Sequence, residues 1–289
     1  MSKIIPVRLA YECIEVDGCD KAKSPIIFLH GMTQCKELWH DLPRTIGQAT
    51  KRKIIIVDAR NHGASERTDV FNFDVNVDDL LHLMDEINVQ KAILVGHSMG
   101  GITSIKTSLR APERVEKIVV EDMSVSQLTP KILKMVQQFV GLTQEVLDSI
   151  PDSVKDVDEA AKFYVEHIFK RLPPEGDNLT NTKNPESVRK FVVMQRNADG
   201  KFSVNYNNQA ILKALNDPKS LMSDPSGVFE GPVCFIYGKL SPFIADGEEL
   251  VIKKHFPNAK LVGIEGATHT VHVDRPKEFT EALLSFLQN

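Results

Sequence analysis

The stretch Ala92-Ile-Leu-Val-Gly-His-Ser-Met-Gly-Gly101 decides the fold: an apolar run ends in G-x-S-x-G and passes directly into a helical pattern, Met99 to Arg110. A continuous apolar run of this length reads as a strand buried on both faces of a parallel sheet. Turning from strand to helix within a few residues demands a strained backbone at the turn, and glycines two before and two after Ser98 leave room for it. The turn lifts Ser98 above the sheet. The helix beginning at Met99 aims its free N–H groups and positive dipole end at the charge that forms during acyl transfer. G-x-S-x-G alone occurs by chance, and Gly101 alone reads as a helix-packing residue. With a strand before and a helix after, the nucleophile reading outweighs both.

Working outward, five more short apolar runs resemble the first: Pro25 to Leu29, Lys53 to Val57, Lys117 to Val120, Val233 to Tyr237 and Lys260 to Ile264. Between them, Asp74 to Ile87, Asp246 to Phe256 and Pro276 to Leu287 carry helical periodicity, the last opened by Asp274 with Pro276 in its first turn. This is the alternation of a doubly wound α/β sheet. Val7 to Val16 reads as one or two added hairpin strands. The alternation stops between Ser124 and about Gly227, where Ile132 to Val140 and Asp158 to Phe169 are helical and Pro173 to Asn178 is a loop. The chain therefore divides into a core (1–123), an inserted cap (124–227) and the rest of the core (228–289). A cap after a strand's C-terminal end covers the crevice where open α/β sheets bind ligands. Its Phe139, Leu142, Phe163, Phe169 and Phe191 serve either the cap's own small core or an apolar pocket, and Phe139 and Phe163 are the candidate substrate contacts.

Two loops complete the constellation. His30-Gly31-Met32 follows the Pro25 to Leu29 strand, where a loop supplies one backbone N–H to an oxyanion hole. Met32 is nominated for that N–H and Met99 for the second, while His30 reads as a structural histidine beneath the loop. Asp58-Ala-Arg-Asn-His-Gly63 reads as a loop-fixing network. Gly266-Ala-Thr-His-Thr-Val-His272 lies between the last strand and the last helix, so either histidine overhangs the sheet's C-terminal edge. His269, nearer the strand, is the candidate base and His272 the bystander.

The totals restrict the class. A chain of 289 residues suits one α/β core with an insertion, and 42% hydrophobic with 26% charged residues is ordinary for a globular protein. With 39 acidic and 35 basic residues the net charge is -4, so nucleic acid is not an expected partner. Cys13, Cys19, Cys35 and Cys234 lack metal-ligand spacing and read as reduced thiols; no metal is expected. No apolar run reaches the ~20 residues of a membrane span and no signal segment opens the chain. The expected compartment is the cytosol, or the mitochondrion if a transit peptide has been removed.

On Asp58 to Ser65, Gly96 to Gly101, Val120-Glu-Asp-Met-Ser124 and His269-Thr-Val-His-Val-Asp-Arg-Pro276, the sequence resembles the α/β-hydrolase superfamily of serine esterases, over almost the whole chain outside the cap. The resemblance implies a mostly parallel eight-stranded sheet with helices on both faces and a helical cap inserted after the sixth strand. It also implies cofactor-free hydrolysis of small to medium acyl esters, lipid esters among them, through a Ser-His-Asp triad and an acyl-enzyme. The acid it implies is Asp122, and the auxiliary serine Ser241; Asp246 is the other acid to weigh, with a helix-capping role as its plain explanation. Met32-Thr33 replaces the glycine-rich oxyanion loop common in these families. Thioesterase and cofactor-free perhydrolase or haloperoxidase activities fit the same frame, as does a small-molecule receptor that has kept the fold. Dehalogenases and epoxide hydrolases need a carboxylate where Ser98 stands.

Overall fold

The computed structural model describes residues 5–172, 192–244 and 247–288. In chain order its strands are β1 (Tyr11–Ile14), β2 (Ile26–Leu29), β3 (Ile54–Val57), β4 (Ala92–His97), β5 (Val115–Glu121), β6 (Met194–Arg196), β7 (Phe202–Val204), β8 (Val233–Gly238) and β9 (Ala259–Ile264). Seven of them form the main sheet in the order β1-β3-β2-β4-β5-β8-β9, parallel throughout except for β1 against β3. Order reversal about β2 and β4 places the crevice at the C-terminal ends of β2 and β4.

The period-two direction of strand side chains sorts the apolar runs onto two faces. Phe28, Ile54 and Val95 pack with Ile46 of α1 (Leu42–Thr50) and with Phe279 and Leu283 of the last helix, Pro276–Gln288. Ile27, Ile55 and Leu94 pack on the other side with Leu80 of α2 (Phe73–Glu86) and Ile102 of α3 (Met99–Arg110). Each such side chain, wholly buried, contributes about 1.5–3 kcal/mol. That double-sided burial is why these strands carry no polar alternation.

The main sheet has seven described strands, not the expected eight, so the insertion follows the fifth strand instead of the sixth. The difference lies at the N-terminal end of the described chain. Val7 and Leu9 are buried, but the N–H groups there donate to side chains, Val7 to Asp79 Oδ1 at 2.9 Å and Ala10 to Ser65 Oγ at 2.7 Å, while Arg8 O and Ala10 O accept the backbone N–H of Glu66 and Asp58. A segment satisfied in this way has no need of a strand partner. Asp274 also departs from expectation. It ends a short helix, Val271–Asp274, and its Oδ2 accepts from Thr268 N and Oγ1 at 2.7 and 2.6 Å, which braces the histidine loop.

Between β5 and β8 lie α4 (Pro130–Asp148), α5 (Val157–Arg171), the antiparallel hairpin β6–β7 and the helix Asn208–Leu215. The hairpin makes the insertion more than helical. Thr129 caps α4 through Ile132 N, and Asp156 caps α5 through Asp158 and Glu159 N. Thr143 Oγ1 lies 2.9 Å from Tyr164 Oη and 3.0 Å from Tyr206 Oη, so one buried hydroxyl cluster joins α4, α5 and the chain after the hairpin. The loop after β3 seats the insertion on the core: Gly63 N–H donates to Asn205 O at 2.8 Å and Asn207 N–H to Asn61 O at 2.7 Å. Phe191 and Asp246 lie outside the described residues. Among the described residues no helix is long and apolar enough to cross a membrane, and no three His, Cys, Asp or Glu side chains gather as a metal site would require.

Candidate active site

Ser98 sits between the end of β4 and the start of α3 with φ 50° and ψ -112°, a conformation that costs a non-glycine residue on the order of 1–3 kcal/mol. Its surroundings impose it. Ser98 N–H donates to Glu121 O at 3.0 Å, and Gly100 N–H to His30 O at 3.1 Å. A Cβ on Gly96 would lie 2.2 Å from Gly100 O, and one on Gly100 would lie 2.1 Å from Leu29 O. Both contacts are with backbone, which cannot move aside, so the two glycines are what permit the turn.

The chain leaves β5 through Asp122, also at positive φ, 50°, held by Asp122 N–H donating to Ile236 O at 2.9 Å. Its carboxylate is fully buried and accepts three bonds. Gly238 N–H reaches Oδ1 at 2.9 Å, His269 Nδ1 lies 2.6 Å from Oδ2, and Ser241 Oγ donates to Oδ2 as well. Burial raises the Asp122 pKa well above the ordinary carboxylate value, while the Ser241 and Gly238 donors act in the opposite direction. Burial also lowers His269, to about 3, which keeps its imidazole neutral. With Nδ1–H given to Asp122, the lone pair of a neutral ring is on Nε2. Phe243 stacks on that ring at 3.9 Å between centroids, 17° from parallel.

Directly beside this pair is a second one. Glu121 accepts from His272 twice, N–H to Oε1 at 2.8 Å and Nδ1 to Oε1 at 2.7 Å. Burial opposes the Glu121 charge, yet His272 and His97 nearby hold its pKa below the ordinary value. His272 packs on Trp39 with centroids 4.8 Å apart.

The loop after β2 is bound on both sides of Met32. Gly31 N–H donates to Gln34 Oε1 at 2.9 Å and Thr33 N–H to His62 Nε2 at 3.3 Å. Gly31 has no room for a side chain, since a Cβ would lie 2.6 Å from both Gln34 Oε1 and His97 Nδ1. His97 Nε2 lies 3.0 Å from His269 O, so the residue before Ser98 touches the histidine loop with one nitrogen and faces Gln34 with the other. His30, expected to be structural, accepts at Nε2 from Ala59 N–H at 3.0 Å.

Met32, Ser98, Met99 and His269 line one cavity, open to solvent, together with apolar side chains from the insertion such as Leu128, Val136, Phe139, Val140 and Phe169. Ser241 lies one bond further out, behind Asp122. Phe163, expected as a substrate contact, is not in this wall: it stacks on His167 at 3.7 Å, whereas Phe169 of the same helix lines the cavity. His97, Gln34, Glu121 and Phe243 were missed from the sequence. Only Glu121 left a signal there, as the first of the two acids in Glu121-Asp122.

The model of the alpha/beta hydrolase fold matches residues 24–276. The chain is 30% identical to "sn-1-specific diacylglycerol lipase ABHD11" of Danio rerio, across 98% of this chain and 83% of that one. It is 29% identical to "Ethanol acetyltransferase 1" of Eremothecium cymbalariae, across 91% and 74%. A solved structure described as "Marine microorganism esterase" shares its fold at a TM-score of 0.79, with 24% identity over 97% of this chain and 99% of that one. On the extent of these matches, the chain belongs to the α/β-hydrolase fold family.

Proposed function

We propose that the protein is a serine esterase that hydrolyses acyl esters through an acyl-enzyme on Ser98. His269 Nε2 takes the Ser98 hydroxyl proton as Oγ attacks the ester carbonyl carbon. The N–H groups of Met32 and Met99 and the N-terminus of α3 stabilise the resulting oxyanion. As the intermediate collapses, the C–O bond to the alcohol breaks and His269 hands its proton to the departing oxygen. Water then enters by the same route and releases the acid. Asp122 keeps the His269 tautomer with its proton on Nδ1 and favours the imidazolium as it forms, and Ser241 supports the Asp122 carboxylate. No cofactor enters these steps.

The observation that carries this reading is the 2.6 Å contact of Asp122 with His269 in the same cavity wall as the elbow serine. The apolar wall of that cavity and the diacylglycerol lipase among the relatives support an acyl chain as its occupant. The test is labelling of the intact protein with a fluorophosphonate, beside turnover of p-nitrophenyl esters. One probe per chain, lost in Ser98→Ala, is expected; labelling that persists in Ser98→Ala contradicts the assignment. A second reading draws on the acetyltransferase relatives: an alcohol in place of water would resolve the same acyl-enzyme to a new ester. Gas chromatography of products formed in dilute ethanol distinguishes the two.

A further inference from the structure

The cavity at Ser98 is not the end of the apolar space beneath the insertion. Four of its lining residues, Thr33, Gln34, Phe139 and Phe169, also line a second, smaller chamber. Its other walls are Tyr164, Ile168, Val192, Val193, Val204 and Tyr206, contributed by α5, the segment leading into β6, and β7 with the residues after it. None of the ten is charged. Tyr164 and Tyr206 already share their hydroxyls with Thr143, so what they offer a ligand is ring surface. Phe139 and Phe169 stand between the two spaces, half-buried, with ring centroids 6.3 Å apart.

Chemistry decides which part of an ester points that way. The alcohol departs beside His269, because that imidazole supplies its proton. Neither the loop carrying His269 nor Phe243 lines the second chamber, whereas Thr33 and Gln34, which follow Met32, do. The chamber therefore lies on the acyl side of the reacting carbon. A polar or charged group would lose its hydration there without a charged partner, while each methylene buried from water favours binding roughly fourfold. We infer that the second chamber receives the distal methylenes of a long acyl chain whose first carbons occupy the cavity at Ser98. Phe139 and Phe169 are then the chain-length gate. The inference rests on the esterase reading and adds the substrate's length to it.

The experiment measures kcat/KM for p-nitrophenyl butyrate, laurate and palmitate with wild type, Val192→Trp, Val193→Trp and Phe169→Ala. Val192 and Val193 are half-buried, so an indole there fills the chamber without opening the core. Wild type is expected to favour laurate and palmitate over butyrate. The palmitate-to-butyrate ratio should fall at least tenfold in the tryptophan variants and rise in Phe169→Ala. Ratios within twofold of wild type, in variants whose circular dichroism and Tm match it, overturn the inference. Should the tryptophan variants misfold, wild-type labelling rates with ethyl, octyl and dodecyl fluorophosphonates decide instead: a rise with length supports the chamber and a flat or falling series overturns it. A wild type that hydrolyses none of the esters and takes no fluorophosphonate brings down the esterase reading, and the chamber's role with it.

Discussion

Glu121 and Asp122 are adjacent, wholly buried carboxylates, and each meets Nδ1 of a histidine from one loop, His272 and His269. What separates the two pairs is where they face. His269 of the Asp122 pair lines the cavity that contains Ser98, with Phe243 stacked on its imidazole and Asp122 buried behind it. The Glu121 pair packs against Trp39 and Phe279, and neither residue lines that cavity. Glu121 also accepts the backbone N–H of His272, while its own carbonyl takes the N–H of Ser98. Glu121 thus fastens the histidine loop through its carboxylate and the elbow through its backbone carbonyl to the same strand end, and its neighbour holds an imidazole. A carboxylate–histidine contact by itself does not distinguish the two tasks; facing the cavity with Ser98 does.

The sharpest way to break the comparison is to exchange the histidines' fates. His269→Ala should lower kcat by ~10⁵–10⁶, as removing the base of a serine triad does. His272→Ala should leave the folded enzyme active within about tenfold but cost about 3–5 kcal/mol of stability, because it strands the buried Glu121; urea unfolding beside steady-state kinetics separates the two effects. Ser241→Ala removes one of three donors to Asp122 and should cost roughly tenfold to a hundredfold in kcat. The pH profile of activity carries the smallest effect. Because burial lowers His269 to about 3, kcat/KM should show no fall on passing through 6.5. Stability should fall there. Burial lowers His62, His97 and His269 each to about 3, so the folded state refuses protons that the unfolded chain accepts below 6.5. The stability these histidines contribute is fully present above 6.5 and is lost as the pH falls toward 3, by up to about 1.4 kcal/mol per pH unit for each, and the raised Asp122, which favours the folded state as it takes up a proton, offsets one of the three. A urea midpoint unchanged between pH 7.5 and 5 would contradict this.

The elbow was legible because its requirements are local: Gly96 and Gly100 are dictated by backbone atoms within a few residues or on the adjacent strand. The buried strands were legible from their unbroken apolar runs. Asp122 needed the family resemblance, since two acids end β5 and nothing in the order Glu121-Asp122 says which one meets the cavity. His97 and Gln34 left no signal, because their roles depend on contacts across the fold, from His97 to His269 O and from Gln34 to Gly31 N–H. Phe163 was misplaced because helical spacing says which residues share a face of α5, but not which face the docking at Asn61 and Gly63 turns toward Ser98. The strands β6 and β7 are three residues each, too short for period-two alternation to register.

The most direct measurement of the central claim sets kcat for Asp122→Asn against kcat for Glu121→Gln on one p-nitrophenyl ester, with the Tm of each variant recorded. Orientation of the base by Asp122 predicts a loss of ~10⁴ for Asp122→Asn with the fold retained, because the imidazole is then held in the wrong tautomer. Glu121→Gln should lower the Tm while its folded fraction turns over within about tenfold of wild type. The reverse pattern, an active Asp122→Asn and a folded but inactive Glu121→Gln, would contradict the assignment of the two pairs.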